Sequence, residues 1–221
     1  MTEQLSTNRR KSTPCPGGDE NCPHLDEVSR LRAEVKQLAK MVRTDELTGL
    51  FNFRYFNQAL SLEMERTRRS GQTVCLIMCD LDHFKDINDE HGHEVGNLVL
   101  AHVAGLVRRA IRRLDISCRY GGEEFALILP DTGMPQGVEF ANRHRRVIES
   151  SPVAVGDLSL GIAASFGVGV YQRDEALSEK EFVERVDGLL YLAKEQGRNR
   201  VCHTLDSGAE SAGSERGVAS A

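Results

Sequence analysis

The heptapeptide TVCLIMC, Thr73–Cys79, limits the possible folds more than any other stretch of this chain. It is too short for a core helix and too uniformly apolar for a strand with one wet face. It therefore reads as a strand buried on both sides, ended by Asp80. Such a strand needs cover on each face, and the flanking sequence offers it. Asn52–Arg69 places Phe56, Leu60 and Met64 on one face of a helix. Leu98–Arg113 is helical by period, with Leu98, Val99, His102, Val103, Leu106 and Ala110 inward. Met134–Ser150 and Lys180–Gln196 read as two further helices, the second stopped by Gly197. Ile116–Tyr120 and Phe125–Leu129 are short strands joined by Gly-Gly-Glu-Glu, the composition of a hairpin. Leu158–Leu160, Ala163–Tyr171 and Arg200–His203 read as the remaining strands. Strands alternating with helices, plus a hairpin, predict an α/β fold: a mixed sheet with helices on its faces.

Outside this compact part, 45–204, the pattern changes. Residues 1–24 are polar and aperiodic, and 205–221 are rich in Ser, Gly and Ala; both read as disordered tails. Over 25–44, Val28, Leu31, Val35, Leu38 and Val42 recur at spacings of three and four among charged residues. That narrow stripe predicts a helical stalk that pairs two chains as a short coiled coil. With 33 acids against 28 Lys and Arg, the net charge of -5 argues against a nucleic-acid binder. No apolar run approaches the ~18 residues of a membrane span, and the N-terminus lacks the apolar core of a secretory signal. A cytoplasmic location without membrane contact is expected. Cys75 and Cys79 share one strand at ~13 Å, too far for a disulfide, and Cys118 and Cys202 sit among strand residues as small buried thiols. Cys15, Cys22 and His24 are three soft ligands in the polar tail, one short of a structural zinc site, so a solvated tail is the better reading.

Three clusters carry chemistry. DLDHFKDIND, Asp80–Asp89, puts a carboxylate at a strand end, where a hard cation can be held with water and phosphate oxygens completing its shell. Lys85 lies close enough in sequence to reach such a phosphate. An EF-hand loop is excluded, since its fifth and sixth positions are Phe84 and Lys85. His91 and His93 flank Gly92 without a further soft ligand nearby and read as solvated loop histidines. RYGGEEF, Arg119–Phe125, offers two glycines at a hairpin tip, which let backbone approach a large ligand, followed by two acids. On a strand those acids point to opposite faces, so only one is expected to face the cation of Asp80. In LAKEQGRNR, Leu192–Arg200, Lys194 and Arg198 are four apart, hence on one helical face, able to clamp a triphosphate.

DELTGLFN (Asp45–Asn52), DLDHFKDIND, GHEVGN (Gly92–Asn97), RYGGEEF and AKEQGRNR occur together and in order. Over essentially all of Asp45–Thr204 the chain resembles the GGDEF domains of bacterial diguanylate cyclases. The resemblance implies a palm-like α+β sandwich with a mixed, mostly antiparallel central sheet. It implies an enzyme that joins two GTP into cyclic di-GMP with release of two pyrophosphates, each subunit of a homodimer presenting one GTP. Two Mg²⁺ or Mn²⁺ ions per active half-site would be bound by Asp80, the Leu81 carbonyl and Glu123. Glu123 would also act as base near the attacking 3′-hydroxyl, with Glu124 supporting. Phe84, Lys85, Lys194 and Arg198 would hold the triphosphate, Asn88 and Asn97 the purine, and Gly121 and Gly122 the hairpin tip.

Arg112 and Asp115 form R-x-x-D, with five residues between Asp115 and the glycine pair. In the family that spacing marks a product-inhibition site for cyclic di-GMP, to which Arg143 would add a contact; Arg forks onto guanine O6 and N7. Three positions depart from the commoner pattern. Glu123 replaces Asp, a variant that active members accept, and Phe53 replaces an Arg. Asn97 stands where most members have Asp. A carboxylate accepts from guanine N1–H and N2–H, whereas Asn offers one acceptor and one donor pair, and its donor suits adenine N1. The resemblance therefore extends to a subgroup that uses GTP and ATP to make cyclic GMP-AMP. A third reading, an effector that only binds cyclic di-GMP, is disfavoured because Asp80, Lys85, Glu123, Lys194 and Arg198 are all present.

Overall fold

The structure is a computed structural model that describes residues 25–41, 43–156 and 158–204. Its contacts divide the chain into two units, Met1–Arg43 and Thr44–Ala221. In the first, α1 spans Leu25–Met41. Leu31, Val35 and Leu38 of its apolar stripe are exposed, by 47%, 64% and 53%, among the described residues. Val42, the 1–24 and 205–221 tails, and Cys15, Cys22 and His24 lie outside the described residues.

The second unit runs β1 (Phe51–Asn52), α2 (Phe53–Ser70), β2 (Val74–Leu81), α3 (Phe84–His91), α4 (His93–Ala110), β3 (Ile116–Arg119), β4 (Glu124–Pro130) and α5 (Met134–Glu149). It continues through β5 (Val153–Val155), β6 (Leu158–Leu160), β7 (Ala164–Tyr171), α6 (Glu179–Glu195) and β8 (Val201–His203). Six strands form one mixed sheet in the order β1-β3-β4-β2-β7-β8, while β5 and β6 make a separate ribbon. β2 lies at the centre, antiparallel to β4 and β7. β3 is antiparallel to β4, whereas the edge strands β1 and β8 run parallel to β3 and β7.

All eight residues of β2 are buried, as its composition demands. Strand alternation divides them between two cores. Cys75, Ile77, Cys79 and Leu81 join Val99 and Val103 of α4 and Ile148 of α5. Val74, Leu76 and Met78 join Phe56, Leu60 and Met64 of α2 and Phe182, Val186 and Leu190 of α6. α6 approaches the sheet closely because Gly167 of β7 has no side chain; a Cβ there would lie 3.1 Å from Leu190 Cα. Cys75, Cys79 and Cys118 are buried free thiols, and Cys202 is buried as well. Burial pushes Cys75 and Cys118 up to about 12, so neither is reactive.

Several sequence expectations need correction. β2 does not stop at Asp80: the ladder continues, with Asp80 opposite Glu124 on one side and Ser165 on the other. α4 starts at His93 and buries Val99, Leu100, Val103, Ala104, Leu106 and Val107, which leaves Leu98 51% exposed and His102 half-buried. His91 and His93 are not loop residues; they close α3 and open α4 around Gly92, whose φ of 82° breaks the helix. The periodicity of 84–91 also conceals a helix, α3, too short to show an apolar stripe.

Candidate active site

Strand parity builds the site. Asp80 follows Met78 on the β2 face covered by α2 and α6, just past the apolar core there. Glu124 is its direct partner on β4, and residues opposite each other across an antiparallel pair share a face. Lys194, in the last turn of α6, reaches that face: its Nζ is 2.8 Å from Asp80 Oδ2. Glu123 precedes β4 in the bend of the hairpin, and its carbonyl accepts a 3.4 Å hydrogen bond from the Leu81 N–H. Strand alternation applies only from Glu124, where β4 begins, so a single acid of the pair shares the strand face of Asp80 and Glu123 lies outside the ladder. Glu124, assigned the supporting role, sits in register with Asp80, and Glu123 acts on both electrostatically.

The three carboxylates repel one another in a partly dry place. Burial pushes Asp80 above the usual carboxylate range against the opposing Lys194 bond and charge, and Glu123 and Asp82 add to the rise. Burial likewise raises Glu124, helped by Asp80, Asp187 and Glu123 and opposed by Lys194. Asp80 and Glu124, which burial first and their neighbouring acids second make reluctant to ionise, are a donor set for a hard divalent cation. Among the described residues no three acidic, His or Cys side chains gather closely enough to enclose a metal unaided. That is compatible with Mg²⁺, which is commonly held by one or two carboxylates, water and substrate phosphates.

The hairpin glycines act through space, since neither has a left-handed φ. A Cβ on Gly121 would overlap Glu124 Oε2 and lie 3.3 Å from its Cδ, whereas Gly122 faces open space. Gly121 thus makes room for an acid of the site, and Gly122 leaves the tip approachable. Arg119 braces this tip: its Nη2 and Nε donate to the Gly122 carbonyl at 2.9 and 3.2 Å. Its Nη1 pairs with Asp45 Oδ2 at 3.2 Å. Burial alone would raise Asp45, but Thr48 hydrogen bonds and the Arg119 charge hold it below its ordinary range.

The other expected residues are distributed as follows. Phe84 is 7% exposed and packs in the core, so its side chain is unavailable to a phosphate, while Lys85 beside it is exposed. Asn88 on α3 and Asn97 on α4 are both half-buried. Arg198 is not on the helical face of Lys194: α6 ends at Glu195, and Arg198 and Asn199 adopt left-handed backbone, φ 62° and 46°. The turn is held by Arg198 N–H on the Ala193 carbonyl and by Asn199 N–H on Asp82 Oδ2 at 2.9 Å. Asp82, buried and also bonded to Ser165, was overlooked in the sequence, as were Arg119 and Asp187. The D-x-D spacing is the available signal for Asp82; the Arg119–Asp45 pair spans 74 residues and Asp187 acts on Glu124 from another element, so neither link can be read along the chain. On the other side of the molecule, Arg112, Asp115 and Arg143 line one cavity of ≈ 100 Å³, and Asp115 Oδ2 accepts from the Arg112 N–H at 2.7 Å.

Comparison with known proteins follows this geometry. A family model described as "Diguanylate cyclase, GGDEF domain" matches residues 42–200. Diguanylate cyclase VdcA of Vibrio cholerae is 40% identical over 178 residues, 79% of this chain and 51% of that protein. Diguanylate cyclase DgcP of Pseudomonas aeruginosa is 40% identical over 158 residues, 72% of this chain and 23% of its own length. The chain thus spans about half or less of these relatives. The solved coiled coil and GGDEF domain of DgcB from Caulobacter crescentus, in complex with c-di-GMP, superposes with a TM-score of 0.71 at 32% identity, covering 81% of this chain and 94% of that one.

Proposed function

The chain belongs to the GGDEF-domain family, and from that premise we propose that it condenses two GTP into cyclic di-GMP. The observation that carries the reading is the Asp80–Glu124 register with Lys194 bonded to Asp80 and Glu123 at the adjoining hairpin tip. In each of two symmetric steps, the 3′-oxygen of one GTP bonds to the α-phosphorus of the other, the bond to the β-phosphate oxygen breaks, and pyrophosphate leaves. Glu123 accepts the hydroxyl proton. Lys194 and Lys85 place positive charge beside the phosphates, with Arg198 following from its turn; this is catalysis by positioning and charge stabilisation. Asp80, the Leu81 carbonyl and Glu123 would hold Mg²⁺ or Mn²⁺, which when bound neutralises phosphate charge and orients the α-phosphate. Asn88 and Asn97 would read the purine. One chain presents one nucleotide, so the reaction requires a homodimer, paired through α1.

Asn97 favours a second reading in which ATP replaces one GTP and cyclic GMP-AMP forms, because a carboxamide donor suits adenine. The shared cavity of Arg112, Asp115 and Arg143 supports a site where product binds and inhibits. Products formed from GTP alone, ATP alone and an equimolar mixture test these readings together. Cyclic di-GMP from GTP is the expected result; the mixture yielding mainly the hybrid dinucleotide would favour the second reading, and no product from dimeric protein would refute catalysis. Replacing Glu123 by Gln should lower turnover by about 10²-fold or more with GTP binding retained. Arg112→Ala should raise the product concentration needed for half-inhibition, read from progress curves.

A further inference from the structure

α3 and α4 meet where α4 carries Gly96, a buried glycine in its first two turns. At an ordinary helix position alanine would be the more favourable residue. Here a Cβ would overlap Asn88 Oδ1, lie 3.0 Å from Asn88 Cγ and 3.2 Å from Phe84 Cζ. Phe84, packed in the core, needs to give by only a few tenths of an ångström. The Asn88 backbone is fixed, its carbonyl accepting from the Gly92 N–H at 2.9 Å. The larger displacement falls on the Asn88 carboxamide. Gly188 on α6, by contrast, has nothing within 4 Å of a built Cβ.

We infer that Gly96 is a specificity-determining positioning residue, a notch in α4 that seats the Asn88 carboxamide beside Asn97 so that amides from two helices read one purine. This rests on the reading of the surface as the purine site of a nucleotide cyclase. Asn88 lies against the Gly96 backbone, one residue before Asn97 on α4, so the seat of the Asn88 carboxamide against that helix is set by the absence of a methyl group. An added Cβ swings the Asn88 amide away while leaving the fold and the acid site intact. A site that loses a base hydrogen bond loses discrimination as well as affinity.

The test is equilibrium binding of GTP and of ATP, each with Mg²⁺, to wild type, Gly96→Ala, Asn88→Ala and the double variant. Gly96→Ala should weaken GTP binding about tenfold and alter the GTP-to-ATP preference to match Asn88→Ala. The double variant should be no worse than either single one, since both remove the same contact. Wild-type preference retained in Gly96→Ala, or losses that multiply in the double variant, would overturn the inference, as would a wild type that binds neither nucleotide. If Gly96→Ala melts well below wild type, the double variant should recover; failure to recover would show that Asn88 is not what the methyl displaces. Because the readout is binding, a chain that binds GTP selectively yet forms no product refutes the cyclase reading without touching this one.

Discussion

His144 sits 2% exposed on α5, its ring 5.8 Å from Phe140 in a stacked arrangement and 6.3 Å from Phe166 edge-on. Neither ring nitrogen has a hydrogen-bond partner among the described residues. Burial, assisted by the nearby Arg143 charge, lowers it from 6.5 to about 4. The fold therefore holds the neutral imidazole, and the unfolded chain takes up a proton first as the solution is acidified. Stability is complete above the unfolded value and is lost as pH falls from about 6.5 towards about 4. From roughly pH 7 to pH 5 this one residue should cost about 2 kcal/mol, and His144→Leu should remove that slope from denaturant titrations at the two pH values. Lys194 sets a contrasting case: it is the cation bonded to Asp80, and the proposed reaction uses its charge beside the phosphates. Lys194→Met should lower GTP turnover about 10²-fold at saturating cation, measured as pyrophosphate release.

At the scale of elements, α6 carries most of the precision. Ser178 and Glu181 cap its start reciprocally, and Gly167 sets its depth against β7. Ser178→Ala should cost about 1 kcal/mol in denaturant unfolding. The elements legible in the sequence are those with an apolar stripe or run, β2, β7, α2, α4, α5, α6 and the β3–β4 hairpin, together with the short β6 and β8. β1, with two residues, and β5, with three, carry no periodic signal, and α3 spans barely two turns. The site was legible to the extent that chemistry follows sequence order, which is why Asp80, Glu123 and Lys194 could be named. Which acid pairs with Asp80 depends on a one-residue choice of where β4 begins, and alternation turns that choice into a swap of faces. The bend before Arg198 was hidden because Asp82, 117 residues away from Asn199, holds it.

At the scale of the whole molecule, the apolar stripe of α1 is exposed among the described residues, a surface on which two copies gain by pairing. Replacing Leu31 and Val35 by Glu should shift the chain toward monomer in analytical ultracentrifugation and make specific activity rise with protein concentration. The central strand has a different consequence. Asp80 prolongs an eight-residue strand gripped by hydrogen bonds on both edges and by helices on both faces, so the acid site inherits the stiffness of the core. A site of that kind arrives finished, and on the proposed reading, in which each of two copies presents one nucleotide, little is left to switch on inside it. Control is then a matter of rendezvous: any upstream module that governs how often and in what orientation two copies meet could command the same chemistry, and a foreign clasp in place of residues 1–43 should run it without a signal.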